Sequence, residues 1–310
     1  MIKIGNTNIN NIYIGSTKIK YVYLGSKKMW PTDYSTIPLC IENNTSTVGT
    51  VTLTLNGSGV SVKLSTSTDN INWTTETTYS ATSTLTLPAS GNLYLKGSNT
   101  QFNSNNSNYY SISANVRHNI YGNIMSLCNY KTTLSDYDFT YLFMCDYNLI
   151  SAENLILPIT KLTTHCYWYL FGYCNSLIIP PKLPANTLEV SCYHGLFDGC
   201  TSLTTAPELP ATTLTSDCYA YMFNNCKSLT TAPELPATTL VNGCYYSMFS
   251  GCTKLNYIKA LFTTKPGSYT SEWVSGVAST GTFIKLDGAT WDVTGVNGVP
   301  SGWTVQTATS

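Results

Sequence analysis

Charge is scarce in this chain of 310 residues: charged side chains make up 10% of it, 16 basic against 16 acidic. A sequence so poor in either sign has no basic stripe to follow a nucleic-acid backbone and no polybasic patch to hold an anionic membrane. Apolar runs of about 18 residues, the length a transmembrane helix needs, are absent. The short motifs that carry chemistry are missing too, with no G-x-S-x-G, H-E-x-x-H, Walker loop or glycine-rich dinucleotide turn. There is no C-x-x-C, and the three histidines, His118, His165 and His194, are scattered, so neither a metal nor any other cofactor is expected. The opening residues, MIKIGNTNIN, show no basic region leading into an apolar core, and no secretory signal is read in them.

What is present is repetition. Cys166, Cys192, Cys218 and Cys244 are 26 residues apart, and so are Cys174, Cys200, Cys226 and Cys252. Three copies read SLIIPPKLPANTLEVSCYHGLFDGCT, SLTTAPELPATTLTSDCYAYMFNNCK and SLTTAPELPATTLVNGCYYSMFSGCT. A divergent copy starts at Leu149 with two extra residues, since Phe143 to Phe171 is 28 while Phe197, Phe223 and Phe249 follow at 26. A fixed period of this length means stacked units, each unable to bury its apolar face alone.

Within a unit, prolines such as Pro207 and Pro210 exclude a helix from the first half, which reads as a short strand and an extended turn. In the second half, Cys192, Leu196, Phe197 and Cys200 return at i, i+4, i+5 and i+8, which predicts a short helix with Ser191, Ser216 or Asn242 near its N-cap. Strand plus helix in 26 residues predicts a leucine-rich repeat. The link Phe197-Asp198-Gly199-Cys200-Thr201-Ser202-Leu203, repeated from Phe223 and Phe249, resembles the BspA-like class of such repeats. That class is found in surface proteins of gut and oral bacteria and in structural proteins of their phages. The resemblance covers roughly 120–310 and implies the fold far more than a function.

Eleven cysteines invite a disulfide framework. Partners eight apart on a helix would lie about 12 Å apart, beyond the roughly 7 Å that a disulfide spans. A column of buried, reduced thiols is the expectation, with cross-repeat pairing as its rival.

Residues 2–31 form three decamers, IKIGNTNINN, IYIGSTKIKY and VYLGSKKMWP, each read as two short strands around a glycine-led turn. So small a module cannot enclose a core of its own and should dock onto sister chains or another protein. The anchoring set is Ile2, Ile4, Ile9, Ile12, Ile14, Ile19, Val22, Leu24, Met29 and Trp30, with a homotrimer favoured. The decamers resemble the N-terminal module of structural proteins from phages of gut Bacteroidetes, crAss-like phages included.

The full organisation expected is a multidomain, β-rich chain with an α/β solenoid. It has decamers at 1–31, a β-sandwich at 32–118, a solenoid N-terminal cap at 119–148, the leucine-rich-repeat solenoid at 149–262 and a C-terminal cap at 263–310. Alternation in Val51-Leu53-Leu55 and Leu93-Leu95 supports the sandwich, with Trp73 placed in its core. Within the cap, Leu134, Phe139, Leu142 and Phe143 read as an incomplete first helix; Thr270–Val277 read as a last one.

No catalytic residue is assigned. Glu208 and Glu234 share a column with Lys182, and a carboxylate pair on neighbouring rungs could serve a glycosidase, but repetition alone accounts for them. The columns that vary between copies are better candidates for a ligand-facing surface: Trp168, Tyr169, His194, Tyr221 and Tyr246. Aromatic and nearly uncharged, they suit a polysaccharide. The function expected is that of a non-enzymatic phage virion structural protein, a fibre or decoration subunit at the virion surface. Its partners would be other virion proteins and a host-surface glycan. The alternatives are a leucine-rich-repeat adhesin of the bacterial cell surface and, below it, a carbohydrate-active enzyme.

Overall fold

Within each N-terminal decamer two short strands pair antiparallel. A computed structural model of the chain describes residues 34–308 and, before them, the backbone of six short strands. These are β1 (Lys3–Ile4), β2 (Thr7–Asn8), β3 (Ile12–Ile14), β4 (Thr17–Ile19), β5 (Val22–Leu24) and β6 (Lys27–Trp30), paired β1 with β2, β3 with β4 and β5 with β6. The side chains of the anchoring set, Ile2 to Trp30, lie outside the described residues.

Eight strands follow: β7 (Leu39–Asn43), β8 (Gly49–Asn56), β9 (Val62–Ser67), β10 (Thr77–Tyr79), β11 (Ser83–Leu87), β12 (Asn92–Lys96), β13 (Tyr109–Ala114) and β14 (His118–Asn123). Their alternation sends one row of side chains inward, so Val51, Leu53, Leu93, Leu95, Ile112 and Ile120 are all buried in one core. β8 lies between β11 and β13 in a three-stranded sheet. The other sheet runs β10-β9-β12-β7-β14 and takes β15 (Leu149–Ile156) as a sixth strand, parallel to β14. Trp73 is half-buried rather than in the core, with the Lys96 ammonium 3.9 Å above its ring.

The parallel pairing of β14 with β15 carries the sheet into the repeats, and the division expected at 118/119 falls at the first residue of β14. Beyond β15, parallel contact between copies shrinks to isolated bridges such as Ser151 with Ile179 and Lys161 with Thr187. Proline explains this, since each copy lacks the N–H donors that a full ladder requires. Regular strands return near the C-terminus, where β16 (Tyr257–Ala260), β17 (Thr282–Leu286) and β18 (Thr304–Ala308) form a parallel sheet.

The helix predicted for the second half of each unit is absent. The described residues contain no α-helix and three short 3-10 turns. In its place stand rows of tight turns at 137–146, 165–174, 191–200, 217–226 and 243–252, with a shorter one at 269–276. Along a row the N–H groups alternate between a local and a lateral partner. Tyr167 donates to the Cys192 carbonyl at 3.1 Å, Trp168 back to His165 at 3.2 Å, Tyr169 to His194 at 2.9 Å and Leu170 back to Tyr167 at 3.2 Å. Every fourth residue takes a left-handed φ, as at Ser191 (+53°), Gly195 (+61°) and Gly199 (+71°). An α-helix admits neither feature, because it keeps φ negative and sends each N–H back four residues. The segment read as an incomplete first helix is the first such row, and Thr270–Val277 contributes to the last.

Lateral bonding stacks like on like. Phe143, Phe171, Phe197, Phe223 and Phe249 form a ladder of rings, each 5.6 or 5.7 Å from the next. Phe139, Tyr167, Tyr193, Tyr219 and Tyr245 form a second, at 5.9 to 6.2 Å. All these rings are buried. Trp273 ends both ladders, lying 6.3 Å from Tyr245 and 6.2 Å from Phe249, with its indole N–H donated to the Gly298 carbonyl at 2.9 Å.

The cysteines are unpaired thiols, ten buried and Cys145 half-buried. One column adds a bond between rows: the thiols of Cys174, Cys200, Cys226 and Cys252 donate to the carbonyls of Phe143, Phe171, Phe197 and Phe223 at 3.0 to 3.2 Å. Cysteine fits here because it is small, tolerates burial and still offers a weak donor. The first row is joined to the two-sheet unit by buried polar groups. His118 Nε2 meets Asp146 Oδ2 at 3.1 Å, and the fully buried Asp138 carboxylate accepts the Phe102 N–H at 3.0 Å and pairs with Lys131.

Candidate functional site

Beside the buried ladders, each row presents one or two side chains that vary from copy to copy. Trp168 occupies the first variable place of its row, where the following rows carry His194, Ala220 and Tyr246. Tyr169 occupies the second, where they carry Gly195, Tyr221 and Ser247. Lateral hydrogen bonding sets these places over one another, so the five expected ligand-facing residues are brought into a single run. Trp168 packs edge-on against His194 at 5.8 Å, Tyr169 lies 5.6 Å from His194, His194 5.3 Å from Tyr221, and Tyr221 5.1 Å from Tyr246. All five are half-buried.

The run is longer than the sequence suggests. Tyr141, in the first row, lies 5.4 Å from Trp168, and Tyr109, on β13, lies 4.6 Å from Tyr141. An aromatic stripe therefore crosses from the two-sheet unit over five rows of turns. Tyr173 stacks on Tyr169 at 6.4 Å and is 43% exposed, widening the stripe at its centre. The signal for Tyr141 was present, since Phe143 and Phe171 match and Tyr141 stands two before Phe143 as Tyr169 does before Phe171. The signal for Tyr109 was not, because its place depends on how β13 meets the first row. That meeting is fixed by the Ile112 N–H donated to the Leu142 carbonyl at 2.6 Å.

The electrostatics of the stripe favour neutral groups. Burial pulls the His194 imidazole down to about 4, with His165 adding to the shift, so it is uncharged at neutral pH. Burial likewise pushes the Tyr221 phenol up to about 12, keeping its hydroxyl a donor. Asp198, beneath Tyr169 and Tyr173, is raised by burial to about 6, while the nearby Tyr173 hydroxyl and Gly199 N–H act in the opposite direction. Chemically the stripe offers ring faces and neutral hydrogen-bonding edges, with no lysine or arginine among these residues.

Elsewhere the candidates separate. Lys182, Glu208 and Glu234 are exposed, and Glu234 pairs with Lys259 at 2.9 Å, the next place in the same column. His118, buried against Asp146, and His165, stacked on Tyr137 at 4.7 Å, lie in different surroundings. Among the described residues no group of three His, Cys, Asp or Glu side chains is placed to hold a metal ion. No helix of the described residues is long and apolar enough to cross a membrane. The chain matches no family model, no curated protein and no solved structure.

Proposed function

We propose that this chain is a non-enzymatic structural protein of a virion surface, a fibre or decoration subunit that holds a neutral polysaccharide along its aromatic stripe. The observation that carries the glycan-binding reading is the unbroken contact from Tyr109 through Tyr141, Trp168, His194 and Tyr221 to Tyr246. A surface of half-buried rings without cations suits the faces and hydroxyls of sugars, and its length suits a chain of them. The stacked rows are read as a divergent solenoid of the leucine-rich-repeat kind, seated on a β-sandwich. The N-terminal hairpins are read as the anchor, joining sister chains as a trimer or binding another virion protein.

The virion assignment rests on the resemblance of the decamers and of the F-x-x-C-x-x-L link to those of phage structural proteins. Mass spectrometry of purified particles tests it: peptides of this chain at a stoichiometry comparable to other structural subunits are expected. Their absence from particles, with the chain found on the bacterial envelope instead, would favour the adhesin reading.

A further inference from the structure

The rows repeat closely enough that departures from repetition are informative, and three coincide in the row at 191–200. Gly195 stands where the neighbouring rows carry Tyr169 and Tyr221. Gly199 stands where they carry Tyr173 and Asn225, and Asp198 where they carry Gly172 and Asn224. The space above the two glycines is filled by rings of the preceding row. A Cβ on Gly195 would stand 2.5 Å from Cζ of Tyr169, and one on Gly199 would stand 2.6 Å from Cδ1 of Tyr173. The two rings are nearly parallel, 12° apart in plane. They lie as slats across a glycine floor, and Asp198 belongs to that floor.

Asp198 is 5% exposed, and its Oδ1 has no hydrogen-bond partner. A buried carboxylate oxygen without a donor is costly and uncommon, and it marks a place where a donor is wanted. The Tyr173 N–H, donated to the Asp198 carbonyl at 2.6 Å, fixes the two residues on adjacent rows. The groups facing the carboxylate are the phenols of Tyr169 and Tyr173 from the preceding row and Tyr221 from the following one, with no cation among them. Tyr173 is the exposed member, and the residue under its ring edge, Gly199, has no side chain to hold it, so the ring can swing aside without breaking a lateral bond.

We propose that Asp198 is the hydrogen-bonding anchor of a sugar subsite at the centre of the stripe, opened when Tyr173 swings off Gly199. In it, two neighbouring hydroxyls of a neutral sugar donate to the carboxylate while the sugar face rests on Tyr169 and His194. The inference rests on the glycan reading above. A carboxylate with four acceptor positions fits a pair of hydroxyl donors, and the same charge repels an acidic sugar. The Tyr173 hydroxyl competes for the carboxylate in the free protein and is displaced.

The test uses the full chain on a printed array of neutral and acidic oligosaccharides, reading the protein concentration that half-saturates each spot. Asp198→Asn is expected to weaken binding to the neutral spots by about tenfold or more, the effect of losing hydrogen bonds to a charged acceptor. Tyr173→Phe, which keeps the ring and removes the competing hydroxyl, is expected to bind about two- to fivefold more tightly. Trp168→Ala, outside the subsite, reports on the stripe itself. If Asp198→Asn and Tyr173→Phe both bind as the unaltered chain while Trp168→Ala weakens, the subsite is overturned and the glycan reading stands. If the unaltered chain binds no spot, both fall. Should Asp198→Asn lose its cooperative thermal transition, Tyr173→Phe decides alone, and unchanged or weaker affinity overturns the subsite.

Discussion

The ring of Tyr169 fills the space that a side chain on Gly195 would need, and Gly195 in turn holds a left-handed φ of +61°. Two constraints therefore meet at one glycine, a backbone region that L-residues avoid and a neighbour already in place. Gly195→Ala is expected to cost about 2–3 kcal/mol of stability, part backbone strain and part displacement of the ring. In a Tyr169→Ala background the same change should cost about 1 kcal/mol, the backbone share alone. Denaturant melts of the four proteins in this cycle measure the difference.

The buried tyrosine ladder predicts a gain from losing polar atoms. The hydroxyls of Tyr167, Tyr193 and Tyr219 are buried without hydrogen-bond partners. Tyr193→Phe keeps the stacked ring and removes an unsatisfied group, so it should raise stability by about 1 kcal/mol. Tyr193→Ala should instead lower it by about 3–5 kcal/mol, since the cavity would open between two stacked rings. Thermal melts of the two variants should move in opposite directions.

Thiol reactivity follows from burial. Ten cysteines are buried and Cys145 is half-buried. Burial pushes the Cys128, Cys166 and Cys252 thiols up to about 12, where almost no thiolate exists at neutral pH. A maleimide applied to the folded chain should modify Cys145 first, and the rest only as the protein unfolds. Peptide mapping after a short pulse checks this, with rapid loss of the Cys192 or Cys218 thiol as the contrary result.

Two groups of the stripe should oppose each other as pH changes. Asp198, raised from its ordinary range to about 6, is bound to more protons when folded than when unfolded, so its contribution falls as pH rises from about 4 to 6. His194, lowered to about 4, is bound to fewer, so its contribution rises with pH from about 4 to 6.5. Displacements of this size correspond to about 3 kcal/mol each, and they largely cancel. Asp198→Asn should make stability rise more steeply across that window, and His194→Gln should make it fall. Urea midpoints at pH 4.5 and 6.5 separate the two signs.

Much of this was legible from spacing. The period, the thiol columns and the phenylalanine ladder follow from cysteines and phenylalanines 26 apart, because lateral hydrogen bonding sets like residues over like. The helix did not follow, and the reason lies in one ambiguity. Cys192, Leu196 and Cys200, with Tyr193 and Phe197, repeat every four residues, which fits one helical face and fits four-residue turns equally well. The occupants of the intervening places could have decided it, since Gly195, Gly199, Asn225, Gly243 and Gly251 are residue types that tolerate left-handed backbone. At the candidate site, variable columns pointed to the aromatic residues. The burial of Asp198 was not legible, because it depends on rings that reach over it from the preceding row. Trp73 departs from the expectation that a large aromatic fills the sandwich interior: it lies between β9 and β10, half-buried, with Lys96 over its ring.

The aromatic stripe is tested most directly by binding of neutral polysaccharides to the full chain and to a Trp168→Ala, Tyr221→Ala, Tyr246→Ala variant. These residues are half-buried at the surface, so the variant should keep a cooperative melt. The expected result is saturable binding of at least one neutral polysaccharide by the unaltered chain, weakened about a hundredfold in the variant, as the loss of several stacking faces implies. Equal binding by both proteins, or no binding by either, would contradict it.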